Sequence, residues 1–278
     1  MFRCIPSFLR NWRRLLLTLS VLLISGALFG CSATSTRIAE VSSFDQSDWA
    51  QSSGLFDPET KQPVRSASWT NFLLPGKKET RYLPAIVDGR GALQVHAESA
   101  ASMLRLKVHV PAADLGLARF SWKVTDLIAA ADMGDRDLDD APVRVVLAFD
   151  GDRGRFSVKN AMLSELTHAL TGEPMPYAVM MYVWSKHRPV GTVISSPRTD
   201  RIRKLVVETG PAHLGQWLAF ERDIPRDFEQ VFGEAPGTLI GMGVMTDTDN
   251  THSIVHAAYG PLTVQLRPTN GFALDKRH

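Results

Sequence analysis

What most restricts the fold of this chain is a two-residue rhythm that sets in at Leu93 and returns along most of its remaining length. Leu93, Val95 and Ala97 alternate with Gln94 and His96. Leu104, Leu106, Val108 and Val110 alternate with Arg105, Lys107 and His109, and Phe120, Trp122 and Val124 with Arg119, Ser121 and Lys123. Successive side chains of a β-strand point to opposite faces, so the pattern predicts strands with one face buried and the other wet. Val143–Phe149 is more continuously apolar, as suits a strand covered on both faces, and it ends at the turn signal Asp150-Gly151-Asp152. Tyr177–Trp184, Ile202–Glu208, Trp217–Ile224, Leu239–Thr246 and Val255–Leu266 read as further strands. About ten short strands separated by turns predict an all-β sandwich of two antiparallel sheets rather than a parallel α/β fold.

Two segments break the rhythm. Ser157–Leu170 brings Ala161, Leu166, Ala169 and Leu170 near one face and is stopped by Gly172 and Pro174. Pro225–Phe232 opens with proline in its first turn, carries Phe228, Val231 and Phe232 to bury, and stops at Gly233. Both are expected to be short helices lying across sandwich edges, where a cover protects an edge strand from aggregation. No linker or internal repeat divides Glu40 to Pro268. Residues 41–268 are therefore expected to form one domain, with 269–278 as a tail.

The first forty residues have a different character. Arg3, Arg10, Arg13 and Arg14 precede an apolar run, Leu15 to Phe29, with no acid anywhere in it. A basic head and an apolar core too short to span a bilayer form the layout of a secretory signal, here residues 1–30. Leu28-Phe29-Gly30-Cys31 resembles a bacterial lipobox, with Phe29 bulkier than is usual at its position. The resemblance implies cleavage before Cys31, acylation of Cys31, and a membrane partner through the acyl chains. Residues 31–40 then form a tether, beginning with the small polar run Ser32 to Thr36. Ser32 rather than Asp after the cysteine implies, by the enterobacterial sorting rule, the outer membrane on its periplasmic side. Cleavage removes four arginines and no acids, so the formal charge moves from +2 to −2. A domain so near neutrality gives no reason to expect nucleic acid as a partner. Cys4 leaves with the signal, which excludes a disulfide or thiol catalysis in the mature domain.

Several strings carry a family likeness: Phe120-Ser-Trp-Lys-Val124, Asp140-Ala-Pro-Val-Arg144, Phe149-Asp-Gly-Asp152, Gly172-Glu-Pro-Met-Pro-Tyr177, Tyr182-Val-Trp184, Pro197-Arg-Thr-Asp-Arg201 and Met245-Thr-Asp-Thr-Asp-Asn250. Together they resemble a bacterial family of uncharacterised envelope proteins, domain of unknown function 3047, over most of Phe72 to Leu266. The resemblance brings no activity and no catalytic residues. A second likeness runs through Val41-Ser-Ser-Phe44 with Trp49, Gly91-Ala-Leu93 and Ala257-Ala-Tyr-Gly260. These resemble jelly-roll glycan-binding modules, which implies a jelly-roll-like sandwich and a sugar ligand on a concave face or at edge loops.

Four groups of residues could carry chemistry. Asp132, Asp135, Asp137, Asp139 and Asp140 crowd one loop, and calcium takes oxygen ligands of this kind. Asp135, Asp137 and Asp139 match the first alternate positions of an EF-hand loop. Asp140 then stands where glycine is needed and Val146 where a glutamate belongs, so a solvated acidic loop with Arg136 as counterion is the alternative. Asp247, Asp249 and Asn250 follow the strand Leu239–Thr246 at its end, where ligand contacts and plain turn chemistry are both at home. Among Trp69, Trp122, Tyr177, Tyr182, Trp184 and Trp217, the alternation assigns Trp122 to the core. Tyr182 and Trp184 share one face of their strand and could form a sugar platform or pack inside. Arg198, Arg201, Arg203 and Lys204 form a basic cluster read as a salt-bridged surface or an anion grip. No nucleophile elbow, zinc helix or phosphate loop is present in the sequence.

The function expected from these features is a lipid-anchored envelope protein that binds a glycan without catalysis, through Tyr182, Trp184, Asp247, Asp249 and Asn250. Calcium is the candidate ion. The alternatives are a glycan-active hydrolase or lyase, and an assembly lipoprotein that binds an envelope protein and exposes an apolar patch to it.

Overall fold

The computed structural model describes residues 44–268 apart from 58, 61 and 65–67. The expected signal segment, Cys31, the expected tether and the expected tail lie outside the described residues. The chain opens with α1 (Asp48–Gln51), then β1 (Gly54–Phe56), β2 (Pro63–Val64), β3 (Thr70–Leu73), β4 (Arg81–Val87), β5 (Arg90–Glu98), β6 (Ala101–Val110) and β7 (Leu115–Val124). Next come β8 (Ala141–Phe149), α2 (Val158–Thr171), β9 (Ala178–Ser185), β10 (Val193–Ser195), β11 (Ile202–Thr209) and β12 (Trp217–Asp223). The last elements are α3 (Ile224–Phe232), β13 (Leu239–Asp247), β14 (Ile254–Tyr259) and β15 (Thr263–Leu266). Among the described residues no helix is long and apolar enough to cross a membrane.

The strands form two sheets packed as a jelly-roll-like β-sandwich. One runs β2-β1-β15-β7-β14-β5-β4, with β12 also pairing along β7; the other runs β10-β11-β9-β8-β13-β6-β3. Antiparallel pairs dominate, as the short turns require. The β4–β5 hairpin turns on Asp88 and Gly89, both at positive φ, the conformation a two-residue hairpin loop demands. Two pairings are parallel, β1 with β15 and β9 with β11, so the sheets are mixed rather than purely antiparallel. The sixteen residues between β9 and β11 are long enough for the crossover that parallel neighbours need. The predicted strand Val255–Leu266 is two strands, β14 and β15, which pair with successive stretches of β7. The break falls at Gly260-Pro261, where a Cβ on residue 260 would overlap the Ser121 hydroxyl.

Apolar residues of both inner faces fill the space between the sheets, with Trp49, Leu93, Trp122, Leu147, Tyr182, Trp184 and Tyr259 among them. Trp49 donates from its indole nitrogen to the carbonyl of Gly260 at 2.9 Å, which ties α1 to the end of β14. A second apolar cluster lies on the outer face of the β8–β9–β13 sheet, formed by Val146, Met181, Val183, Val206 and Met245 with Met133 from the 125–140 loop. β8 and β9 are thus covered on both faces, as the unbroken apolar run of β8 predicts.

α3 buries Phe228 and Val231 as expected. α2 does not follow its prediction. Ala161, Leu166, Ala169 and Leu170 are exposed, and the helix turns Asn160 and Ser164 inward. The Asn160 amide donates to Asp200 at 2.7 Å and accepts from the Thr199 hydroxyl at 2.7 Å, while Arg153 donates to Ser164 at 3.3 Å. Polar partners at this sheet edge select the polar side of the helix.

Candidate functional site

The site is built by register. β8 and β13 are antiparallel neighbours with Asp247 opposite Ala141, so the end of β13 lies beside the start of β8. That places Asp140, the last residue of the acidic loop, against the turn that follows β13. Asp140 accepts from the backbone of Asn250 at 3.2 Å and of Thr251 at 2.8 Å, and from the Thr251 hydroxyl at 2.6 Å. The Asn250 side chain donates to the carbonyl of Arg136 at 2.8 Å, closing one acidic loop onto the other. Carboxylate oxygens of Asp140, Asp247 and Asp249 come within 4.8 Å of one another.

Beneath this trio lies a network of buried ions on the outer face of the sheet. Arg144, on β8, donates to the carbonyl of Asp139 at 2.8 Å and to its carboxylate at 3.1 Å, and lies 3.3 Å from Asp247. Lys204, on β11, donates to Asp139 at 2.7 Å and to the carbonyl of Met133 at 2.9 Å. The 125–140 loop therefore folds over the sheet and supplies the counterion for two cations that the strands bury. Lys77 reaches in from the β3–β4 connection to pair with Asp249.

The electrostatics are uneven. Burial pushes the Asp247 carboxyl well above the usual carboxylate range against the attraction of Arg144, and hydrogen bonding with Asp249 pushes it further. Burial would raise Asp249 too, but the same hydrogen bond and the Lys77 ammonium outweigh it and hold its carboxyl low. Burial, assisted by Arg144, brings Lys204 down to about 8 in spite of Asp139. One oxygen of Asp247, Oδ1, and the Nε of Arg144 are buried with no hydrogen-bond partner. The trio offers carboxyl oxygens to a cation or to donor groups of a ligand. Lys77 and Arg144 already supply positive charge there.

The residues expected from sequence separate into those the fold brings together and those it does not. Asp247, Asp249 and Asn250 are together, joined by Asp140. Asp135, Asp137 and Asp139 do not form a calcium loop. Asp139 turns inward to Arg144 and Lys204, while Asp135 and Asp137 are exposed and Asp135 accepts from the backbone of Asp137 at 2.8 Å. Tyr182 and Trp184 do not form a sugar platform. They are 0% and 1% exposed, because the face they share points between the sheets. The Tyr182 ring stacks on Phe120 at 5.3 Å and its hydroxyl donates to Asp227 at 2.9 Å. The Trp184 indole donates to the carbonyl of Gly210 at 3.0 Å. Its edge helps line a small pocket beside Asp140, with Leu127, Ile128, Asp132 and Arg188. Arg144 and Lys204 are the residues that sequence reading undervalues. For Arg144 the signal is a cation inside a strand whose other residues are nearly all buried, where it must find a buried partner.

Comparison with known proteins adds a family and little more. No curated protein sequence matches the chain. Among solved structures, one described as "CBM4 structure and function" is 9% identical, with 72% of this chain and 87% of that one covered and a TM-score of 0.31. The xyloglucanase domain of NopAA, a type three effector from Sinorhizobium fredii, in complex with cellobiose, is 9% identical, covers 72% and 94%, and scores 0.37. SGBP-B from a xyloglucan utilization locus of Bacteroides uniformis is 11% identical, covers 73% of this chain and 48% of that one, and scores 0.31. Likeness of this degree carries no inference about ligand or activity. Residues 67–263, by contrast, match the profile of the family described as "Protein of unknown function (DUF3047)", and the chain belongs to that family.

Proposed function

We propose that this protein is a lipoprotein, acylated at Cys31 and held on the outer membrane facing the periplasm, whose sandwich binds a polar ligand without catalysis. A glycan is the ligand class we favour. The observation that carries the reading is the meeting of Asp140, Asp247 and Asp249 over buried Arg144 and Lys204, with Asn250 and Lys77 at the rim. Such a network is a poor way to stabilise a fold. Apolar side chains of similar volume often serve as well as a buried ion pair or better, and strongly perturbed titrating groups cluster at functional sites. Carboxylates, an amide and an ammonium side by side are suited to the paired donors and acceptors of neighbouring sugar hydroxyls. Hydrolysis of a glycoside by two carboxyls requires about 5 to 9.5 Å between them with the substrate lying across. The three oxygens here are closer and largely buried, which favours binding. Calcium, if bound, falls to Asp140, Asp247 and Asp249 rather than to Asp135, Asp137 and Asp139.

The test is thermal melting of the protein with a panel of oligosaccharides, in EDTA and in calcium. A ligand at a hundred times its dissociation constant stabilises the folded state by about 2.7 kcal/mol. A sugar-dependent rise that Asp249→Asn abolishes supports the reading, and no rise with any sugar refutes it. A rise with calcium alone assigns the trio to a structural ion instead. The anchor is tested separately, by the mass of the Cys31 peptide and by loss of membrane association in Cys31→Ser.

A further inference from the structure

α2 is inside out. Its exposed side carries Val158, Met162, Leu166 and Leu170, which are 79%, 67%, 54% and 60% exposed, with Ala161 and Ala169 also facing out. The first four recur every fourth residue and so form one stripe along the roughly 21 Å of a fourteen-residue helix. The helix is moored instead by polar contacts of Asn160 and Ser164 to Thr199, Asp200 and Arg153. Isolated apolar side chains are ordinary on a protein surface, but an exposed helix stripe backed by a polar interface is not.

We propose that this stripe lies on a phospholipid surface, an inference resting on the lipid-anchored reading above. Three observations favour lipid over a protein. Exposed bases border the stripe: Arg155, which also pairs with Glu234, and Lys159 stand at its start, Arg198 is exposed beside Thr199 and Asp200, and Lys107 pairs with Glu173 just past its end, whereas Glu165 is the only acid on the helix. An apolar stripe with such a border suits an interfacial helix among anionic headgroups. The stripe is also small. A few hundred Å² of apolar surface is well short of the ~800 Å² per partner that a stable protein interface buries. Finally, only twelve residues separate Cys31 from the first described residue, Phe44. At ~3.5 Å each they keep an anchored domain within about 45 Å of the bilayer. That is close to the diameter of a domain of this size, whose radius of gyration is ~17 Å. Acyl chains at Cys31 hold the protein to the membrane, and α2 decides which face it turns there.

The experiment is site-specific photocrosslinking of the full chain in its own membranes. p-Benzoylphenylalanine replaces Met162 in one protein and Leu166 in another, with Ile86, 66% exposed on β4, as the control position. These side chains are exposed, so folding is retained. The expected result is phospholipid adducts, identified by mass, at 162 and 166, at least about tenfold more abundant than at 86. Adducts of twice the protein mass, adducts to another protein, or lipid adducts no more frequent than at 86 overturn the proposal. The mass of the Cys31 peptide separates the two readings. Acylated Cys31 without lipid adducts at 162 refutes the helix contact alone, and unmodified Cys31 with such adducts refutes the anchor alone.

Discussion

Replacing Tyr182 with phenylalanine removes one oxygen from the centre of the sandwich and tests where that side chain points. The hydroxyl donates to Asp227 at 2.9 Å, and both residues are buried. A hydrogen bond to a charged acceptor contributes about 1.5–3 kcal/mol. Asp227 is not orphaned by the change, because Arg222 still holds it through two bonds of 2.6 and 2.8 Å. The ring keeps its stacking on Phe120. The loss should therefore fall near the middle of that range, about 2 kcal/mol, which lowers Tm by ~4–8 °C in a domain of this size. Tyr182 also titrates far above its ordinary value, through burial first and the Asp227 charge second. Its folded pKa is raised, so the folded state keeps a proton that the unfolded chain loses near pH 10. The corresponding stability is complete below pH 10 and is lost as pH rises beyond it. Tyr182→Phe should flatten that alkaline loss. Calorimetry at neutral pH and urea melts from pH 8 to 11 measure both effects. A Tm within 1 °C of wild type would refute the buried bond. Weakened oligosaccharide binding with a normal Tm would place Tyr182 at the ligand and refute its position in the core.

Two further outcomes follow from the charge pairs. Arg105 and Lys107 hold the Glu173 carboxyl down to about 2, chiefly through the Arg105 hydrogen bonds. Its stabilising contribution is present above the unfolded value near 4.5 and is lost as pH falls toward 2; because the side chain is 38% exposed, Glu173→Gln should cost only ~1 kcal/mol at pH 7 and nothing at pH 2, as urea midpoints at the two pH values would show. Asp247 has the opposite sign: its raised folded pKa means that its contribution is full below pH 3.8 and declines as pH climbs through the folded value. Asp247→Asn keeps the shape of the protonated form, so its urea midpoint relative to wild type should rise from pH 4 to pH 8, and a constant or shrinking gap would contradict the buried assignment.

β5, β6 and β7 are legible because alternation is written directly into the chain, and β8 because its apolar run is unbroken, whereas the three-residue β10 leaves no pattern. Nor are β1 and β2 legible, since the partner of β1 is β15, some two hundred residues away, and three residues hold no period. Tyr182 and Trp184 lie in Ala178–Ser185, where every residue is buried. With both faces covered, the alternation that would tell inside from outside is erased. The apolar positions of α2 are equally plain in sequence, but which side of a helix is buried depends on what the neighbouring edge offers. Here that is Thr199 and Asp200. Asp247, Asp249 and Asn250 stand out as a strand end without any structure. Their union with Asp140 is a consequence of strand register, and the seating of Asp139 between Arg144 and Lys204 follows from how a loop crosses a sheet. No local pattern encodes either.

The same tertiary accidents join the two surfaces proposed here. The 196–201 segment presents Thr199 and Asp200 to Asn160 of α2, while Arg198 beside them lowers the Asp249 carboxyl from a distance. A three-residue stretch thus holds the helix with two side chains and acts on the acidic site with the third. Were α2 merely a cover for a sheet edge, its apolar side would face that edge and the mooring would be apolar, as it is for α3 with Phe228 and Val231. The polar mooring fixes the helix while leaving its apolar stripe free.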